Sequence, residues 1–245
     1  VITIRDRDTF VLVLQALVRR NEPVDVPASQ GASMVAGYNN WERIRQHRRR
    51  WEALPADERE TATWAEEMAR LVPQKELYQD RFLILSDGPY SGVAAADLGL
   101  DEAAWRETSL VIRREHECTH YFTRRLFGSM ENHLLDELLA DWAGITAATG
   151  TYHADWFLRF LGLEEHPRFR PGGRLEIYRG KPPLSDRDFA HLQGLAVRSA
   201  ATLERLERRR PVGPGVEARA RRLAALAALS LPELAAEDAI DRLVS

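Results

Sequence analysis

Apolar positions recur at helical spacing along most of the chain, and only two short stretches carry a strand-like run. The pattern predicts helices over roughly 8–20, 40–53, 56–72, 101–106, 109–127, 131–149, 154–162, 186–210, 215–229 and 232–243. Arg81-Phe82-Leu83-Ile84-Leu85-Ser86, closed by Asp87-Gly88-Pro89, is the clearest strand, and Leu175-Glu176-Ile177-Tyr178 is a weaker second. The expected fold is therefore mainly α with a small β element, an α+β arrangement. Length allows a single domain over 1–245 or two lobes, an N-terminal one over 1–107 and a helical one over 108–245.

Two of these helices change the picture. In the first, Ser109 stands before Leu110-Val111-Ile112 as an N-cap would, and Gly128 follows Phe127 as a C-terminal cap. Ile112, His116, Thr119, Tyr121 or Phe122 and Leu126 form its inward side, leaving Arg113, Arg114, Arg124 and Arg125 for solvent or a ligand. In the second, Leu134, Leu135, Leu138, Leu139 and Trp142 make a wide apolar stripe.

The first helix carries His116-Glu117-Cys118-Thr119-His120, the pattern HExxH. Histidines four apart on a helix share a face and can hold one metal ion, with the carboxylate beside them able to take a proton from water. Chance gives this pattern in about one such chain in 50, so its surroundings decide its weight. The second helix answers with Glu137 and Asp141, again four apart. One carboxylate can bind the metal while the other accepts the remaining N–H of a ligating imidazole, and Asp136 or Asp141 is the alternative to Glu137 as ligand.

HExxH on one helix followed by Glu-x-x-x-Asp on the next resembles the zincin metallopeptidases, in particular the gluzincin branch typified by thermolysin. The likeness covers about 30 residues. It implies zincin-like paired active-site helices and one Zn²⁺ ion held by His116, His120 and Glu137. Glu117 would be the general base and Asp141 the outer partner of His116. The metzincin continuation is absent, and only sixteen residues separate His120 from Glu137, so the turn between the helices is tight. The resemblance also implies an edge strand that pairs with an extended substrate, for which Arg81–Ser86 is the candidate, with a short core strand as the alternative.

Hydrolysis needs a donor toward a developing oxyanion. Tyr152 and His153, just past the second helix after Gly150, are the best placed by sequence, with Tyr90, Tyr178 and His191 as further candidates. Arg168, Arg170, Arg174 and Arg179 flank Pro171-Gly172-Gly173 and read as a loop, either solvated or selective for an anionic group.

The leading expectation is a zinc-dependent metallopeptidase or amidase acting on a peptide or small amide. A mono- or di-iron oxidase is the alternative from the same His and carboxylate set, because Glu117-x-x-His120 has di-iron spacing and Asp188-x-x-His191 loosely repeats it. A non-catalytic, zincin-like binding protein is the third. A formal charge of −3 argues against a general nucleic-acid partner, and Arg48-Arg49-Arg50 and Arg208-Arg209-Arg210 are expected at helix C-termini. No apolar run nears the roughly 18 residues of a membrane span. Val11–Leu14 lies behind Arg5, Asp6, Arg7 and Asp8, which suits an amphipathic helix better than an export signal. Cys118 is the only cysteine and has no internal disulfide partner; it is read as a thiol packed behind the metal, and a reducing, cytoplasmic setting is expected. Composition leaves the oligomeric state open.

Overall fold

A computed structural model describes residues 1–27, 30–128, 133–213 and 215–244. It divides into two compact units, Val1–Val26 with Ala32–Ile84, and Pro27–Gly31 with Leu85–Ser245. The division thus falls at Ile84 and not near residue 107.

The first unit opens with β1 (Ile2–Ile4), α1 (Arg7–Val18) and β2 (Ala32–Asn39), followed by α2 (Trp41–Ala53), α3 (Trp64–Leu71) and α4 (Lys75–Tyr78). Strand β3 (Gln79–Ser86) continues into the second unit. Among the described residues the sheet has the order β1-β3-β2, so β3 is the middle strand. The edge-strand expectation for Arg81–Ser86 is corrected here. Its physical reason is visible in Phe82-Leu83-Ile84-Leu85, an unbroken apolar run that suits a strand covered on both faces and not an alternating, half-solvated edge. Phe10 and Leu14 of α1 pack with Val35 and Ile84 over this sheet. The predicted helix over 56–72 begins only at Trp64, because Thr63 and Glu66 form a reciprocal capping box that sets its start.

The second unit is helical. Two short 3-10 turns, Tyr90–Gly92 and Ala95–Leu98, lead into α5 (Glu102–Phe127), then α6 (His133–Thr149) and α7 (Ala154–Leu161). A 3-10 segment at Arg174–Arg179 precedes α8 (Asp186–Arg209), α9 (Val216–Ala227), α10 (Leu231–Leu234) and α11 (Ala239–Val244). The Leu175–Tyr178 strand is therefore a tight helical turn. The expected helices 101–106 and 109–127 are one, capped by Asp101, whose side chain accepts from the Ala104 N–H at 2.8 Å. Ser109 is not a cap. It is buried mid-helix and its hydroxyl accepts from the Tyr90 N–H at 3.0 Å. The expected start of the second helix at 131 lies outside the described residues.

Helix α5 buries Trp105, Ser109, Ile112, His116, Thr119 and Thr123, alternating steps of four and three that make one stripe. Helix α6 is buried on nearly every side from Leu134 to Thr146, which explains its wide apolar pattern. Leu and Ile side chains such as Leu135, Leu138, Leu139 and Ile145 gain roughly 1.5–3 kcal/mol each on full burial, so α6 is a main contributor to the core of this unit. The helices run antiparallel, since His120 meets Asp136, His116 meets Asp141 and Ile112 meets Gly144. Gly144 sets their spacing: a Cβ there would lie 2.7 Å from the Ile112 carbonyl oxygen.

Candidate metal centre

The antiparallel pair brings four of the predicted residues together. His116 Nε2 and His120 Nε2 face each other at 2.9 Å, and Glu137 reaches them with Oε2 at 3.6 Å and Oε1 at 3.3 Å. One ligand atom from each of the three lies within 4.8 Å of the others, and no other His, Cys, Asp or Glu group of this kind occurs among the described residues. Regular helix geometry is the cause, because residues four apart on α5 and the facing turn of α6 share one buried seam.

Both rings are held from behind. His116 Nδ1 lies 2.8 Å from Asp141 Oδ1, and His120 Nδ1 lies 2.7 Å from Asp136 Oδ2. An ionised carboxylate only accepts, so each ring carries its proton on Nδ1 and turns a bare Nε2 lone pair toward the other. Three electron-pair donors then converge with no proton of their own between them. This donor set fits a divalent cation with nitrogen and oxygen preference. Without a metal the demand is met by a proton: burial opposes it, but hydrogen bonds to Asp136 and Glu137 and their charges push His120 up to about 10. Burial raises Glu137, yet the hydrogen bond from His120 and the charges of His116, Arg174 and His120 outweigh it and hold Glu137 well below the usual carboxylate range.

Asp141 is fully buried. Its Oδ1 accepts from the Tyr90 hydroxyl at 2.6 Å as well as from His116, and its Oδ2 forms a charge-assisted bond with Arg174. Arg174 and the His116 ring offset its burial and keep it ionised. Burial and the Asp141 charge push Tyr90 well up, so its hydroxyl stays protonated and donates. On the other side Asp136 receives the Thr123 hydroxyl at 2.8 Å. Tyr178, from the 3-10 segment, lies beside Glu137 on one groove wall, and burial together with that carboxylate keeps its hydroxyl protonated.

The loop before α5 is pinned to the same seam. Arg113 is buried on α5, not free for solvent as its sequence position implied, and donates to the carbonyls of Ser86, Gly88 and Pro89 at 2.5, 3.0 and 3.3 Å. A Cβ on Gly31 would meet its guanidinium at 2.6 Å, so a larger residue there would require the guanidinium to shift. Glu117 is half-buried, and no hydrogen bond or ion pair holds its carboxylate among the described residues. Cys118 is half-buried, with its thiol pushed up by burial, and it is not one of the residues that converge on the cluster.

Tyr152 and His153 make no hydrogen bond or ion pair with the cluster. The Tyr152 hydroxyl is buried without a partner among the described residues, and His153 stacks on Trp156 at 5.5 Å while starting α7. Twelve residues of α6 after Glu137 carry the chain about 18 Å along the helix before this turn, which is why closeness in sequence misled. Tyr90, Tyr178 and Arg174, far from HExxH in sequence, arrive through tertiary return of the chain. The arginine loop is paired throughout: Arg168 with Glu165, Arg170 with Glu164, Arg174 with Asp141 and Arg179 with Asp186. Asp188 accepts from Ser185 at the start of α8 and His191 is exposed, so these two form no second cluster.

One family model matches residues 1–238, nearly the whole chain. The chain belongs to the family of unknown function DUF7005. No curated protein and no solved structure matches it. Membership therefore assigns no chemistry, and the geometry of the α5–α6 seam is the ground for a functional reading. No helix among the described residues is long and apolar enough to cross a membrane.

Proposed function

We propose that this DUF7005 chain is a gluzincin-like hydrolase that holds one zinc ion between His116, His120 and Glu137 and cleaves a peptide or small amide bond. The observation that carries the reading is the convergence of two bare Nε2 atoms and a carboxylate, each ring locked by its own acidic partner. Zinc bound there supplies Lewis-acid polarisation of a carbonyl and a lowered pKa for water.

The chain's residues do the rest. Glu117 is next to a ligand and no hydrogen bond or ion pair among the described residues ties up its carboxylate, so it takes the proton of the attacking water and delivers it to the leaving nitrogen. Tyr178, protonated and adjacent to Glu137, is the donor that faces a developing oxyanion. An open groove of about 670 Å³ adjoins Glu137 and Tyr178 and is lined by Leu134, Ile177, Leu184 and Leu192. Such a wall receives an aliphatic side chain. A single such cluster among the described residues favours one ion over a di-iron pair.

The test is Glu117→Gln, compared with wild type for zinc content and for turnover of a panel of peptide and amide substrates. The variant should keep one zinc per chain and lose turnover by about 10²–10⁴-fold. Full activity in the variant would overturn the mechanism.

A further inference from the structure

We infer that Arg174 is a positioning residue for the metal ligands, acting through Asp141 and Glu137 and making no contact with substrate; this rests on the zinc reading above. One guanidinium touches both halves of the site's support. Its Nη2 bonds Asp141 Oδ2 and lies 3.8 Å from Glu137 Oε2, while Nη1 donates to the Tyr90 hydroxyl at 3.1 Å and to Ser91 Oγ at 3.2 Å. Both terminal nitrogens are thereby engaged, and the Nε–H is buried with no hydrogen-bond partner among the described residues.

The anchor behind it is rigid. Gly173 is packed against the end of α7 so closely that a Cβ would lie 2.7 Å from the Gly162 Cα, so the backbone that launches Arg174 is fixed on the scaffold. With Oδ2 of Asp141 taken by Arg174, Oδ1 is the oxygen left to accept from His116 Nδ1, and the plane of the carboxylate fixes the plane of the ring.

The two histidines are supported unequally. Asp136, behind His120, receives a threonine hydroxyl and no cation among the described residues, whereas Asp141, behind His116, receives a phenol and a guanidinium. A planar fork is required for this, because an ammonium is a point charge that cannot hold Asp141 and the Tyr90–Ser91 turn together. Arg174 therefore orders the His116 half of the site and, four residues on, the segment that bears Tyr178.

The experiment compares wild type, Arg174→Met, Arg174→Lys and Arg170→Met, the last a paired arginine of the same loop that does not reach the site. Each is titrated with Zn²⁺ and Co²⁺ against a competing chelator, with the cobalt absorption spectrum recorded and the metal-free fold checked by circular dichroism. Arg174→Met should weaken metal binding by about 10–100-fold and change the cobalt spectrum. Arg174→Lys should recover part of the affinity, and Arg170→Met should match wild type. Wild-type affinity and spectrum in Arg174→Met overturn the inference alone. If that variant does not fold, the same result in Arg174→Lys overturns it. Absence of metal binding by wild type overturns the zinc reading and this inference with it.

Discussion

Replacing Gly144 by alanine tests whether the α5–α6 spacing sets the site. Local propensity alone says that a helical Gly→Ala change stabilises, by about 0.5–1 kcal/mol. Packing says the reverse, because the new Cβ would sit 2.7 Å from the Ile112 carbonyl oxygen, 3.0 Å from its Cγ2 and 3.2 Å from its Cα. Ordinary contact begins near 3.4 Å, so α6 must retreat by about 0.7 Å, and backbone is what blocks it. Overpacking of this kind costs about 1–3 kcal/mol, which offsets or exceeds the propensity gain and leaves a net loss of about 0–2.5 kcal/mol. Glu137 lies two turns before Gly144, and Ile112 one turn before His116, so the shift is passed to the ligands. Ligand placement tolerates about 0.5 Å, and zinc affinity should fall roughly tenfold. Gly194 on α8 is the control, since a Cβ there meets only the flexible Arg198 Nη1 at 3.2 Å. Gly194→Ala should be neutral or stabilising with unchanged zinc affinity. Denaturant unfolding and zinc competition titration read both quantities; a Gly144→Ala protein that is more stable than wild type and binds zinc equally well would refute the reasoning.

Three further outcomes follow from the same geometry. Zinc at a hundredfold excess over its Kd should raise unfolding free energy by about 2.7 kcal/mol, a chelator should reverse the shift, and Glu137→Gln should show much less of either in thermal scans. In the first unit, the hydrogen bond from His47 holds Glu67 below its usual 4.5, with Thr61 assisting and burial opposing. A lowered carboxylate contributes stability that is present above its unfolded pKa and lost as pH falls through the folded value. Glu67→Gln should thus unfold earlier than wild type at neutral pH, with the gap in Tm closing below about pH 4.5. Ile177, 76% exposed on the groove wall, should tolerate Ile177→Asp without loss of Tm or zinc, while turnover of aliphatic amides drops; an unchanged substrate profile would place the groove outside the reaction.

Much of the metal cluster was legible from spacing because its parts are helical. His116 with His120, and Glu137 with Asp141, each need only the 3.6-residue repeat to share a face, and that repeat is a local property of the backbone. The wide apolar stripe of α6 likewise announced a helix buried on most sides. Legibility failed where a partner is non-local. Ser109 looked like a cap because nothing in its neighbours reveals the Tyr90 N–H that occupies it, and Arg113 looked solvated because its three carbonyl acceptors lie 24 to 27 residues away. Strands β1 and β2 escaped because three residues, and a segment as mixed in small and apolar residues as Ala32–Asn39, hold no clear alternation until β3 pairs with them.

The sequence by itself determined that the chain is mainly helical and that His116 with His120, and Glu137 with Asp141, share helix faces, since local periodicity suffices for both; the choice of Glu137 as ligand and Glu117 as base is what the gluzincin resemblance implies. Packing of the second unit added the remainder: Asp136 on His120, Tyr90 and Arg174 on Asp141, Tyr178 beside Glu137, and a Tyr152 hydroxyl that makes no hydrogen bond to the cluster. The hydrogen bonds among them join residues up to 51 positions apart, and only a compact core, with Gly144 and Gly173 permitting close backbone approach, brings such residues within reach.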